Sequence, residues 1–112
     1  MNVSDNSGGI YARCIKILGS SSCNHTNIGD TLIVTLKQVT LHRKVSKHSV
    51  CRSILIRQNR KTLRKNGVSL SFFINSIVLV KKKQNEPIGN RIRGSILQEL
   101  RYKKCMKLLL LS

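Results

Sequence analysis

Acidic side chains are scarce in this chain. Only four Asp and Glu residues stand against 21 Lys and Arg, which gives a formal net charge of +17 over 112 residues. Paired general acid and base catalysis needs carboxylates or similar groups that are positioned together, but the four acids lie in four separate segments, at Asp5, Asp30, Glu86 and Glu99. We therefore expect neither an enzymatic activity nor a cofactor.

Long apolar runs are also lacking. The longest uncharged stretch, residues 66–80, is interspersed with serine and asparagine and falls short of the roughly twenty apolar residues that a membrane helix needs. No secretory signal pattern is recognisable. Two of the four cysteines, Cys14 and Cys51, lie in apolar runs, where a reduced thiol packs as a small hydrophobe. We expect no membrane association, and reduced cysteines rather than the alternative of a secreted scaffold with two disulfides.

Metal-ligating residues are few and poorly spaced. Cys23, His25, His42 and His48 could supply four ligands, but a Cys-x-His spacing is not typical of zinc sites. We predict no metal site.

Aromatic residues make up 4% of the chain. With Phe72 predicted to lie in the core, few aromatic side chains remain on which unpaired bases could stack.

The excess of positive charge is the strongest signal. Like charges at this density oppose compaction, and a polyanionic partner relieves the repulsion. Nucleic acid is the commonest such partner because each neutralised phosphate releases counterions; an anionic membrane or an acidic protein is the alternative. The basic residues are spread over several segments, a distribution suited to phosphates that approach from more than one side.

Short β-branched and apolar segments predict one all-β domain. Strands are predicted at residues 12–18, 31–38, 50–57, 68–72 and 76–80, because apolar residues alternate or cluster there between turn signals. Asn66-Gly67 predicts the tip of a hairpin. Strands at this spacing are typical of a small barrel or sandwich.

Two basic loops and a helix complete the predicted organisation. Residues 57–65, with five basic side chains, predict a protruding arm, and residues 41–48 a second basic loop. Ser95 and Gln98 have capping-box spacing, which predicts a helix from about Ile96 to Tyr102. Residues 108–111 fit either a helical turn or a strand.

The N-terminal stretch NVSDNSGG, residues 2–9, is rich in turn-forming residues. Asp5 stands in it, before an apolar run. We predict an ordered loop.

Three collinear stretches resemble one family, the universal large-subunit ribosomal protein number fourteen. The first is NVSDNSG followed by CIKILG, and the third is EPIGNRIRGSILQELR, residues 86–101. The middle stretch matches the family signature at Ile54, Leu55, Ile56, Asn66, Gly67, Phe72, Asn75, Val78 and Leu79. The chain departs from the usual family residue at Gly9, Ser53, Asn90, Arg93 and Ser95.

The resemblance implies a mainly β fold: a five-stranded OB-like barrel over residues 1–85, with a protruding basic hairpin loop, and a short C-terminal helical extension over residues 86–112. It implies binding to large-subunit rRNA at the face that meets the small subunit. Implied partners are ribosomal protein number three, number nineteen or its organellar equivalent, small-subunit rRNA at a bridge, and the ribosome-silencing factor. The alternative function is a free RNA-binding OB module or RNA chaperone.

The resemblance and the basic residues together give the expected site residues. The resemblance implies that the glycines of this N-terminal stretch let backbone approach rRNA, that Asp5 caps local amides, and that the basic arm grips phosphates. The expected rRNA-binding residues are Asn2, Ser4, Asn6, Ser7, Gly8, Gly9, Arg13, Arg43, Lys44, Lys47, Arg52, Arg57, Arg60, Lys61, Arg64 and Lys65. The expected protein-partner or bridge surface comprises Asn90, Arg91, Arg93, Arg101, Lys103 and Lys104.

The divergent ends and the many Asn, Ser, Ile, Leu and Lys residues indicate an AT-rich organellar genome. We expect the mitochondrial matrix, within the large subunit of the mitochondrial ribosome, with a plastid as the alternative and a bacterium third. No presequence is recognisable, so synthesis inside the organelle is expected.

Overall fold

The computed structural model describes residues 1–18, 26–40, 45–59, 61–63, 67, 69–81 and 86–94. The strands in these residues are β1 (Asn2–Val3), β2 (Gly9–Ile17), β3 (Thr31–Val39), β4 (Val50–Arg57), β5 (Thr62–Leu63), β6 (Ser69–Leu70) and β7 (Ser76–Val80). Strands β1, β2, β3, β4 and β7 form a closed barrel, and β5 and β6 form a separate two-stranded sheet. The predicted mainly β fold with a five-stranded OB-like barrel is confirmed.

Strand β1 closes the barrel. It pairs antiparallel with β2, where Asn2 faces Tyr11, and parallel with β7, where Asn2 faces Ser76. The other neighbours, β2–β3, β3–β4 and β4–β7, are all antiparallel. The β2–β3 register shifts at several points along β2, and such bulges increase the local twist that a small closed barrel needs.

The barrel core follows from the sequence period. On β3, the buried residues Leu32, Val34 and Leu36 alternate with half-buried ones, as expected when one face of a strand points inward. Strand β7 is buried at every position, which is typical of a strand covered on both faces. The interior cluster comprises Ala12, Leu32, Val34, Leu36, Leu55, Ile77 and Leu79.

Two predicted strands, β4 and β7, have the bounds that the sequence indicated, and β2 begins earlier than predicted, at Gly9. The N-terminal stretch is not a loop throughout, because β1 pairs with β7, and Asn2 N donates to the carbonyl of Asn75, just before β7, at 3.1 Å. The prediction of a barrel strand at residues 68–72 is wrong. In the described part of that stretch, residues 69–72, the strand is β6, which pairs with β5, and β1 takes the fifth place in the barrel.

The predicted hairpin tip is present. Thr62 faces Leu70 and Leu63 faces Ser69, and Gly67 lies between the two strands with a φ of 84°. Of the basic arm, Lys61 is exposed, while residues 60 and 64–66 lie outside the described residues. The predicted helix and the apolar residues 108–111 lie outside them as well.

The two described cysteines are free thiols in different settings. Cys51 packs against the interior cluster, as predicted. The prediction that Cys14 is packed is wrong: it is exposed on β2, because the β2–β3 register shifts just beyond it. The described part of the chain contains no helix that could span a lipid bilayer.

Candidate nucleic-acid interface

A buried carboxylate holds the turn between β1 and β2 in shape. Asp5 Oδ1 accepts hydrogen bonds from Ser7 Oγ at 2.6 Å and Ser7 N at 3.3 Å, and Asp5 Oδ2 accepts one from Leu79 N at 3.2 Å. Burial raises the pKa of the Asp5 carboxyl, and these hydrogen bonds act in the opposite direction. Asp5 therefore caps local amides, as the resemblance implied, and it also fastens the turn to the barrel wall.

Residues 86–94 fold onto this turn. Asn6 Oδ1 accepts hydrogen bonds from Asn90 N at 2.7 Å and Arg91 N at 3.2 Å, and Asn6 N donates to Arg91 O at 3.2 Å. A Cβ added to Gly89 would lie 2.5 Å from Asn6 Oδ1 and 3.1 Å from Ser7 N. A glycine is therefore required where the two segments meet.

Arg57, the last residue of β4, links both segments to the barrel. Its Nη2 donates to Ser4 Oγ at 2.7 Å and to the Arg93 carbonyl at 2.6 Å. Among the described residues its Nε is buried without a hydrogen-bond partner, and burial lowers the pKa of its guanidinium, which nevertheless stays charged. Arg57 is thus a structural cation whose hydrogen bonds to described residues go to neutral acceptors.

A different set of cations lies on the outer face of β2–β4. Across the three strands, Lys16 faces Ile33, and Ile33 faces Arg52. Next to this row of residues, Arg13 faces Thr35. Arg13 and Lys16 are exposed and Arg52 is half-buried. Lys37, also half-buried, lies on the same side of β3 as Ile33 and Thr35 by strand alternation. None of the three strands contains an acidic residue.

Two recesses flank the N-terminal segment. One, of about 330 Å³, is lined largely by polar groups of the β1–β2 turn, including Asn6, with Arg93 at its border. The other, of about 410 Å³, has the apolar residues Phe72, Phe73 and Ile74 in its lining together with Arg57 and Arg93. Arg93 therefore borders both.

The predicted site residues fall into four groups. The exposed ones are Asn2, Asn6, Arg13, Lys47, Lys61, Asn90, Arg91 and Arg93, and the half-buried ones are Arg52 and Arg57. Ser4, Ser7, Gly8 and Gly9 are buried within the chain. Arg43, Lys44, Arg60, Arg64, Lys65, Arg101, Lys103 and Lys104 lie outside the described residues. The structure brings Ser4, Asn6, Arg57 and residues 90–93 together, whereas Arg13 and Arg52 lie on the outer face of β2–β4.

The prediction that Phe72 lies in the core is wrong. Phe72 is half-buried at a recess instead of lying in the core, because it lies between β6 and β7, whereas the interior is filled by side chains of the barrel strands β2, β3, β4 and β7. Phe73 is 97% exposed. The signal for this was present: two phenylalanines and an isoleucine stand in succession between strands, where no alternation places them inward.

Metal-ligating side chains do not gather in the described residues, where no three His, Cys, Asp or Glu groups come together. Cys23, His25 and His42, three of the four ligands considered above, lie outside that part of the chain.

A comparison with protein-family models matches residues 1–112 to the family described as Ribosomal protein L14p/L23e. The match covers the barrel, the buried Asp5 turn and residues 86–94 that pack on it. It confirms the family indicated by the three collinear stretches. Members of this family are structural proteins of the large ribosomal subunit, and the family is not one of enzymes. The chain belongs to the ribosomal protein L14p/L23e family.

Proposed function

We propose that this large-subunit ribosomal protein binds large-subunit rRNA through the outer face of β2–β4 and the basic hairpin arm. One observation carries the proposal: Arg13, Lys16, Lys37 and Arg52 share that face on three strands without a single carboxylate. Family membership supports association with the ribosome.

Such a face suits phosphates rather than bases. Cations presented from adjacent strands neutralise phosphates and release counterions, which gives affinity that falls with salt and carries no sequence information by itself. A chain of charge +17 gains from this neutralisation because its own repulsion is relieved. The protein would act as a scaffold that holds folded rRNA segments in place.

The buried members of the expected set have a different proposed role. Ser4 and Ser7 bond to Arg57 and Asp5, so we propose that they shape the turn between β1 and β2. Asn2 and Asn6 are exposed beside them and are proposed to meet rRNA directly. The buried Gly8 and Gly9 are proposed to shape the turn with Ser4 and Ser7.

A second surface is proposed for protein partners and the intersubunit bridge. Asn90, Arg91 and Arg93 are exposed, on a segment that Asn6 anchors. The resemblance supports contacts with small-subunit rRNA, the ribosome-silencing factor, and ribosomal proteins three and nineteen or its organellar equivalent. At positions 90 and 93 the chain differs from the usual family residues, and Asn90 and Arg93 give this surface a polar and a charged side chain.

Sedimentation tests the proposal. A tagged chain expressed in its own cells is expected to migrate with the large subunit in a sucrose gradient, and to leave it when salt is raised. Migration at the top of the gradient with RNA fragments bound would favour a free RNA-binding module instead. Migration there without RNA would contradict both functions.

We further propose that the subunit is that of the mitochondrial ribosome. The composition of the chain supports an organellar genome. The tagged chain should then be enriched with large subunits from purified mitochondria; recovery with plastid large subunits would favour the alternative.

A further inference from the structure

Phe73 is the most exposed large apolar side chain among the described residues, at 97%. Ile74 follows it at 53%, and the half-buried Phe72 precedes it. We call these three residues the apolar rim. A single exposed apolar residue is ordinary, but consecutive apolar residues at the edge of a recess indicate a surface that a partner covers.

The recess beside the apolar rim is positively charged. Arg57 and Arg93 lie in the same lining, and the hydrogen bonds that Arg57 makes with described residues go to a hydroxyl and a carbonyl, which are neutral groups. The volume of about 410 Å³ falls in the range of small-ligand sites, roughly 300–1,000 Å³. The site therefore combines an aromatic face, room for one small group, and two cations.

An apolar peptide would suit the rim but not the cations, because covering an unpaired guanidinium with apolar groups removes it from water without compensation. A duplex backbone would suit the cations but would leave Phe73 in water. An unpaired nucleotide suits both the apolar rim and the cations. Every base has a π-face that stacks on aromatic side chains, and every nucleotide carries a phosphate.

We propose that the recess holds one unpaired nucleotide of large-subunit rRNA, with its base stacked on Phe73 and its phosphate paired with Arg93 in the positive field of Arg57. This inference rests on the proposed function and adds to it a specific kind of contact. The outer face of β2–β4 offers cations for phosphates, whereas this recess offers a stacking platform, so the two surfaces select different rRNA elements.

Photocrosslinking in assembled large subunits tests the contact directly. Phe73→p-azidophenylalanine keeps the ring, and the side chain is too exposed for the change to disturb folding. After irradiation, a crosslink from position 73 to an rRNA nucleotide that lies outside helices is expected. A crosslink only to protein, or none in subunits that contain the variant, would overturn the inference while leaving the proposed function intact. Failure of the wild-type chain to sediment with the large subunit would overturn the proposed function.

Base methylation of rRNA in the same subunits gives a second measurement. Stacking on an aromatic side chain contributes about 1–3 kcal/mol per base, so in Phe73→Ala subunits the base should gain reactivity roughly fivefold or more. Phe73→Tyr should retain protection. Val50→Ala, which removes a side chain that is 54% exposed on the barrel wall, is the matched control and should leave this base unchanged. Equal reactivity in the Ala and Tyr variants would contradict the proposal.

Discussion

The Arg57 guanidinium donates a hydrogen bond to the Ser4 hydroxyl, 53 positions away in the chain, over 2.7 Å. The same Nη2 reaches the Arg93 carbonyl, 36 positions further along. One side chain thus connects the end of β4, the residue that follows β1, and the segment after β7. The basic character of this protein therefore serves two purposes, since some cations organise the fold and others face outward.

Arg57→Lys tests the structural role. An ammonium group keeps the charge but does not reproduce the planar fork of a guanidinium, and hydrogen bonds from charged groups contribute about 1.5–3 kcal/mol each. We expect urea denaturation to show a free energy of unfolding lower by about 1–3 kcal/mol. Arg52→Lys, on the outer face of the same strand, should change it by no more than about 0.5 kcal/mol. Equal losses in the two variants would contradict the assignment.

Gly89→Ala tests the contact between the two segments. The added Cβ would lie 2.5 Å from Asn6 Oδ1, so one segment must shift, and overpacking of this kind costs about 1–3 kcal/mol. Thermal unfolding should show a clearly lower midpoint. Gly9→Ala is the control: its Cβ would lie 3.3 Å from the side chains of Leu36 and Val3, which can move, so its loss should be smaller. The reverse order would show that residues 86–94 do not pack as described.

Asp5 should make stability depend on pH. A carboxyl of this kind ordinarily titrates near 3.8, and burial raises the pKa of Asp5 above that value. The folded chain then holds this proton more tightly than the unfolded chain. The protonated Asp5 carboxyl therefore adds to the free energy of unfolding in full below about pH 3.8, and this stabilisation is lost as pH rises through the raised pKa.

Denaturation of the wild-type and Asp5→Asn chains over a pH series isolates this group, because asparagine does not titrate. We expect the wild-type free energy of unfolding, relative to the variant, to fall as pH rises from about 3.8 into the mildly acidic range. A relative stability that rises over the same range would reverse the sign and rule out a raised pKa.

Removal of charge from the outer face should reduce the salt dependence of RNA binding. In an Arg13→Gln, Lys16→Gln and Arg52→Gln chain, the slope of log affinity against log salt on large-subunit rRNA transcripts should become shallower, by about 0.9 for each lost duplex phosphate contact. Lys81→Gln is the control, since the Lys81 ammonium already lies 3.8 Å from the Glu86 carboxylate. An unchanged slope would exclude this face as the phosphate-binding surface.

Local patterns predicted the strands that show a clear apolar alternation or a continuous apolar run. The alternation of Leu32, Val34 and Leu36 fixes which face of β3 points inward, and the continuous apolar run of β7 indicates burial on both sides. The sequence could not reveal β1, because Asn2 and Val3 carry no strand signal of their own and become extended through pairing with β7. The alternation at residues 68–72 was real but belonged partly to a short hairpin outside the barrel.

The candidate site could also be predicted only in part from the sequence. The excess of positive charge and the resemblance to the family were visible in the residues alone. Arg52 and Arg57 look alike in the sequence of β4, yet only Arg57 ends beside Ser4 and the Arg93 carbonyl. Which arginine supports the fold is decided by contacts between distant segments, and no local pattern encodes such contacts.

Closure of the barrel by β1 has a consequence for how the chain folds as it is synthesised. Asn2 and Val3 find their second partner only in β7, at Ser76 and Ile77. Until that strand leaves the exit tunnel of the translating ribosome, β1 and β4 each present an unpaired edge, and open edges invite pairing with other chains. The nascent protein is thus exposed to aggregation until β7 emerges, and early engagement by its RNA or by a chaperone would protect it.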